Sequence, residues 1–164
     1  ARMTALQIFS DGTYRELWSK VMAPAPSKIL SPSMADLDGD GSPEIIAQVV
    51  RYLSSTSGEI RIMALDRNGA TKWTQTWPTV GRGPCANMNN KFTPLLGDMN
   101  KDGVADVVVL DNELVVLDGR NGSVLRRNSN LPYNPAGWCY LTSISGVIAD
   151  LDGEEASLAI AAEE

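Results

Sequence analysis

Residues 35–50 read ADLDGDGSPEIIAQVV, and residues 97–110 read GDMNKDGVADVVVL. In both stretches an acidic, glycine-containing loop leads directly into a run of aliphatic residues. Short apolar runs bounded by Gly and Asp are typical of β-strands. A weaker version, ADLDGEEASLAIAA, occupies residues 149–162. The chain therefore contains three copies of one loop–strand pattern.

The three acidic loops mark an internal repeat. They begin at Asp36, Asp98 and Asp150, so the spacings are 62 and 52 residues. Such a long period suits a unit of several short strands. We therefore interpret the chain as one domain, residues 1–164, made of three units at about 1–52, 58–111 and 112–164.

Each unit contains the same predicted strands. An apolar run precedes an Asx-Gly turn in every unit, and an Asx-Gly pair between strands is a strong hairpin signal because both residues can adopt positive φ. The turns fall at 11–12, 68–69 and 121–122. The predicted strands before them are 6–9, 60–65 and 114–117, and those after the acidic loops are 44–50, 106–110 and about 158–162.

Four short antiparallel strands in series predict an all-β fold of β-propeller-type blades. Propellers close with about four to eight blades, so three four-stranded repeats leave the ring incomplete. We therefore expect self-association, as a dimer or a filament of copies, or the remainder of a longer propeller. A whole number of units favours self-association.

The first two loops have the oxygen ligands of a calcium site. Both fit the pattern D-x-[DN]-x-D-G-x-x-[DE], in which positions 1, 3 and 5 converge because Gly at position 6 permits a sharp turn. Position 7 offers a carbonyl and position 9 an acid. The predicted ligands are Asp36, Asp38, Asp40, Ser42 and Glu44 in the first loop, and Asp98, Asn100, Asp102, Val104 and Asp106 in the second. Solvated Asp-Gly turns are the alternative.

The third loop lacks the Gly at position 6 and is one residue shorter. Asp150, Asp152 and Glu154 are its candidate ligands. Weak calcium binding and an empty turn are equally compatible with this sequence.

These loops and the strands beside them resemble the FG-GAP or VCBS repeats of integrin-type β-propellers. The resemblance rests on ADLDGDGSPEIIA and GDMNKDGVADVVV and extends over the chain as three tandem units. It implies that each aspartate-rich loop lies between two strands of a blade and binds Ca²⁺. It also implies an adhesive, ligand-binding or scaffold role, with a glycan or a protein as ligand.

Composition excludes several other functions. The net charge of −6 gives no electrostatic basis for nucleic-acid binding, and no apolar run reaches the ~20 residues needed to insert in a membrane. The sequence has no histidine, which excludes catalytic triads and metal sites that depend on this residue. We therefore expect no enzyme; the alternative is a fragment of a carbohydrate-active or quinone-dependent propeller enzyme.

Two cysteines occupy nearly equivalent places in adjacent units. Cys85 and Cys139 precede the second and third acidic loops by 13 and 11 residues. A disulfide between them, two free thiols and intermolecular pairing all remain open. A disulfide would fit an extracellular or cell-surface location, with a signal segment already removed.

The aromatic residues have two interpretations. Core packing is the favoured interpretation for all six, because repeated units reuse aromatic residues at equivalent sites; they are Trp18, Trp73, Trp77, Trp138, Tyr133 and Tyr140. Trp138, Tyr133 and Tyr140 lie in or near a loop rich in Pro, Asn and Gly; a sugar-stacking platform is the alternative for the set.

Overall fold

The computed structural model describes residues 1–54, 57–80, 93–110, 113–129, 143–150 and 156–163. In this part of the chain every regular element is a strand, and every pairing between strands is antiparallel. The strands are β1 (Arg2–Ile8), β2 (Tyr14–Val21), β3 (Ser27–Ile29), β4 (Ser33–Ala35), β5 (Glu44–Tyr52), β6 (Ser57–Leu65), β7 (Thr71–Val80), β8 (Leu95–Gly97), β9 (Asp106–Leu110), β10 (Leu114–Leu117), β11 (Val124–Asn128), β12 (Ser143–Asp150) and β13 (Ala156–Glu163). The predicted all-β class is confirmed.

The strands form four sheets. Sheet 1 is the hairpin β1–β2, and sheet 4 is the pair β12–β13. Sheet 2 has the order β3-β5-β6-β7, with β4 pairing β5 beside β3, and sheet 3 has the order β8-β9-β10-β11. None of these sheets closes on itself as a barrel.

The sheets do not coincide with the predicted units 1–52, 58–111 and 112–164. The strand after each of the first two acidic loops pairs with the first strand of the following unit, as β5 with β6 and β9 with β10. Only two of the four sheets therefore have four or more strands. The reason is physical: β5 and β6 are adjacent in the chain, so they pair through a short connection.

Side-chain alternation along β5 produces two apolar layers. Ala47 and Val49 point to a cluster that includes Trp18 and Met3 of sheet 1. Ile46 and Val50 point to the opposite cluster, which they share with sheet 3. Because both faces of sheet 2 are covered, β5 is apolar nearly throughout instead of alternating with polar residues.

The three predicted hairpin turns are present, but their geometry differs from the prediction. Gly12, Gly69 and Gly122 have φ of 84°, 78° and 73°. The Asx residues before them do not, since Lys101 is the only non-glycine with positive φ among the described residues. A type I turn followed by a left-handed Gly needs positive φ at one residue only. Each hairpin also has one register shift between its two strands.

Gln48 is a local defect in the core between sheets 2 and 3. Its side chain is fully buried, and among the described residues neither its amide nitrogen nor its amide oxygen has a hydrogen-bond partner. The corresponding position of β9, counted from the acids that begin the two strands, is Leu110. The repeat itself therefore indicates that a leucine fits this environment.

Replacing Gln48 with leucine should stabilise the fold by about 1–3 kcal/mol, because the unpaired buried amide disappears. Urea denaturation of Q48L and the parent chain measures the difference. Gln75, which is polar and half-buried on β7, provides the control, and Q75L should change stability by less than about 0.5 kcal/mol. A midpoint that is unchanged or lower in Q48L would contradict the prediction.

Candidate metal centre

The first acidic loop connects β4 to β5 and gathers three carboxylates. Oxygen atoms of Asp36, Asp38 and Asp40 all lie within 4.8 Å of one another. The sequence predicted this convergence from positions 1, 3 and 5 of the loop. Three carboxylate oxygens at this spacing are ligands that a hard cation prefers.

Backbone hydrogen bonds fix the carboxylates in place. Asp36 accepts from the N–H of Gly39 at 2.7 Å and from that of Gly41 at 2.9 Å. Asp40 accepts from the N–H of Ser42 at 2.7 Å. The turn depends on Gly41, whose φ of 85° is in the left-handed region. The loop is therefore organised by its own backbone.

The second loop connects β8 to β9 and repeats three hydrogen bonds of the first loop at the same positions. Asp98 accepts from Gly103 at 2.8 Å, and Asp102 accepts from Val104 at 3.0 Å. The Asn100 side-chain oxygen accepts from the Asp102 N–H at 3.0 Å; the equivalent distance from Asp40 N to Asp38 is 3.3 Å. Two loops of different sequence thus share one geometry.

The acid at position 9 has a structural role in both loops. Glu44 and Asp106 are 2% and 1% exposed. Each accepts a hydrogen bond from the N–H at position 2 of its loop, Leu37 at 2.9 Å and Met99 at 3.0 Å. These bonds tie the start of the loop to the start of the next strand. Metal ligation by the position-9 acids remains a prediction.

Two basic side chains contact the acidic loops, and the sequence did not single them out. The Lys72 ammonium pairs with Asp38 and, at 3.0 Å, with Glu44. The Arg120 guanidinium pairs with Asp102. Both residues belong to the hairpin that follows their loop. Lys72 is 34 and 28 positions from Asp38 and Glu44 in the sequence, and Arg120 is 18 positions from Asp102. Only the tertiary arrangement of the hairpin over the loop reveals them.

The electrostatics of the loops follow from these contacts. The hydrogen bond from the Gly41 N–H lowers the pKa of Asp36, and the hydrogen bond from Lys72 lowers the pKa of Asp38. Contact with Asp38 raises the pKa of Lys72 in return. Both shifts favour the ionised form of Asp36 and Asp38, which is the form that binds a cation.

In the second loop the pKa values of two acids shift in opposite directions. Burial acts to raise the pKa of Asp102, but hydrogen bonds from Val104 and Arg120 outweigh it, and the pKa is lowered. Burial raises the pKa of Asp106. Its ionised form is supported by the N–H groups of Met99 and Gly119, at 3.0 Å and 3.3 Å.

Several predicted residues lie outside the described part of the chain. Of the third loop, the backbone of Asp150 ends β12, while Asp152 and Glu154 are not described. Cys85 and Cys139, together with Tyr133, Trp138 and Tyr140, are not described either. Their predicted roles stay predictions.

The described tryptophans contact the two apolar layers, as the core-packing interpretation predicts. Trp73 is 9% exposed and belongs to the cluster between sheets 2 and 3, and Trp77 packs against the same cluster. Trp18 packs against the cluster between sheets 1 and 2. Arg127 lies 5.7 Å from the centre of the Trp77 ring, within the range of a cation–π contact.

Comparison with known proteins gave no family model, no curated protein and no solved structure that matches this chain. The described residues form no helix of the length and hydrophobicity that crossing a membrane would require. The conclusions on function therefore depend on the geometry of the loops and sheets.

Proposed function

We propose that this chain is a calcium-binding β-propeller module with a structural or adhesive role outside the cell. Sheets 2 and 3, with five and four strands, would each be one blade, as the resemblance to FG-GAP or VCBS repeats implies. The observation that carries the proposal is the shared geometry of the two acidic loops, which lie at equivalent places in sheets 2 and 3. The first loop gathers three carboxylate oxygens, and the second repeats its backbone hydrogen bonds to the acids at positions 1 and 5.

The position of the loops favours a structural role for the ion. Each loop connects two paired strands, β4 to β5 in sheet 2 and β8 to β9 in sheet 3, and its position-9 acid begins the second of them. Without a cation the carboxylates of the first loop repel one another, and Lys72 offsets this repulsion only in part. A bound Ca²⁺ would therefore stabilise the start of β5 and β9. Self-association and an extracellular location complete the proposal.

Calcium should raise the melting temperature of the chain. A ligand that binds only the native state at a hundredfold excess over its Kd contributes about 2.7 kcal/mol, which corresponds to about 5–11 °C for a chain of this size. Scanning calorimetry in EDTA and in millimolar Ca²⁺ measures the shift. Mg²⁺ at the same concentration controls for ionic strength.

A matched pair of variants locates the effect. Asp40 and Asp11 both accept a hydrogen bond from the N–H two residues ahead, at 2.7 Å and 2.9 Å, and asparagine preserves that acceptor. D40N should reduce the calcium-dependent shift, whereas D11N, which lies in the sheet 1 turn, should leave it intact. Equal melting curves with EDTA and Ca²⁺ would refute the calcium proposal.

A further inference from the structure

We propose that two copies of this chain join head to tail by completing one four-stranded sheet, in the order β12-β13 of one copy and β1-β2 of the next. The inference rests on the proposed propeller arrangement and adds to it the surfaces, the strand order and the direction of assembly. It does not depend on calcium.

Sheet 1 has the contacts of the second half of a four-stranded sheet. The Trp18 ring lies over Gly69 in the turn of the next sheet, and its Nε1 donates to the Arg67 carbonyl at 2.9 Å. Trp73 of sheet 2 does the same to sheet 3: it covers Gly122 and donates to the Gly119 carbonyl at 2.7 Å. The hairpin β1–β2 therefore corresponds to β6–β7.

Sheet 4 corresponds to the first half. Its strands β12 and β13 flank the third acidic loop, as β4 and β5 flank the first and β8 and β9 the second. Strand β12 also lies beside β8, because Ile148 packs closely against Gly97. Among the described residues β13 pairs only with β12, and β1 pairs only with β2. Within the described part of the chain, sheets 4 and 1 are thus two complementary halves, each with one strand edge that has no pairing partner there.

The outer face of sheet 1 carries exposed apolar side chains beside one acid, Glu16, which pairs with Leu6. Leu6 is 47% exposed, whereas Leu65 and Leu117, at the same place in sheets 2 and 3, are fully buried by the preceding sheet. Ile8 and Tyr14 on this face are 75% and 70% exposed. The hairpin turns show the same difference. Gly69 and Gly122 are covered by a tryptophan of the preceding sheet, whereas no described atom lies within 4 Å of a Cβ built on Gly12. The repeat therefore indicates that another sheet of the same kind covers this face.

The side of sheet 3 that faces away from sheet 2 carries a charge opposite to that of the first turn in sheet 1. Arg126 of β11 pairs with Val116 as Trp73 pairs with Ala64, so it occupies the tryptophan position of sheet 3. It is exposed, and so are the apolar residues before it on β11. A guanidinium can donate to a turn carbonyl as an indole does, and the turn of sheet 1 contains Asp11. Arg126 of one copy would therefore contact the first turn of the next.

Sedimentation velocity over a micromolar concentration series tests the joining. The parent chain should form species larger than 17.6 kDa. L6D should shift the chain to the monomer, with an association constant at least tenfold weaker. The control L53D changes a leucine that is 54% exposed in the segment after β5 and should assemble like the parent. Circular dichroism establishes that each variant is folded.

A mixing experiment tests the direction. L6D retains the sheet 3 end, and R126E retains the sheet 1 end, so each should be monomeric alone. Mixed in equal amounts they should form a 1:1 dimer and nothing larger, because only one pair of complementary ends remains. Association through two identical surfaces would not be rescued by mixing, and that result would overturn the head-to-tail arrangement.

Failure of this inference is separable from failure of the calcium proposal. A folded parent chain that stays monomeric, or equal loss of assembly in L6D and L53D, would overturn the joining of copies; cover from other parts of a longer polypeptide would then be indicated. The calcium-dependent melting shift, measured on the L6D monomer, tests the metal site independently.

Discussion

Replacing Trp73 with alanine should destabilise the fold by about 3–5 kcal/mol. The indole is 9% exposed and lies in the cluster between sheets 2 and 3. Its Nε1 donates to the Gly119 carbonyl at 2.7 Å, and its ring packs on Gly122. Truncation leaves a cavity and an unpaired carbonyl between two sheets. Domains of this kind are stable by only about 5–15 kcal/mol, so the loss is a large fraction of the total.

Trp18 provides the matched control for this substitution. It makes the same contacts with the turn of sheet 2, donating to the Arg67 carbonyl at 2.9 Å, but it is half-buried. W18A should therefore cost clearly less than W73A in a urea titration. Equal midpoints for the two variants would show that the deeper burial of Trp73 adds nothing to the stability of the fold, which would contradict the prediction.

Local sequence patterns predicted the strands well because alternation and turn chemistry act over a few residues. The runs 60–65, 114–117 and 106–110 all lie within observed strands. The predicted units, however, are offset from the observed sheets by about half a unit, because sheets 2 and 3 each combine the end of one unit with the start of the next. A repeat is periodic, so its period alone does not reveal where one sheet ends and the next begins; pairing between β5 and β6 decides this.

The same distinction applies to the candidate site. The convergence of Asp36, Asp38 and Asp40 was predictable, because a nine-residue loop with Gly at position 6 determines its own geometry. The contacts of Lys72 and Arg120 were not, because they join the loop to a hairpin distant in the sequence. The structural use of Glu44 was missed for a related reason: its burial depends on sheet packing.

Replacing Leu37 with alanine should destabilise the fold by about 2–5 kcal/mol, although this residue lies inside the first acidic loop. Leu37 is at position 2, between two predicted ligands, yet it is 1% exposed and belongs to the cluster shared by sheets 2 and 3. Its N–H donates to Glu44 at 2.9 Å. The loop is thus fixed to the core by the side chain and to β5 by the backbone.

Met99 occupies the same position in the second loop and is only half-buried, so M99A should have a smaller effect in the same denaturation experiment.

Melting in EDTA and in Ca²⁺ distinguishes Leu37, which anchors the loop to the core, from the predicted metal ligands. L37A removes apolar contacts that no cation replaces, so its melting temperature should stay below that of the parent by a similar amount in EDTA and in Ca²⁺. D40N should approach the parent in EDTA and fall behind it only in Ca²⁺. A deficit of L37A that vanished in excess Ca²⁺ would show that Leu37 acts through the metal site, and the core-anchor interpretation would be wrong.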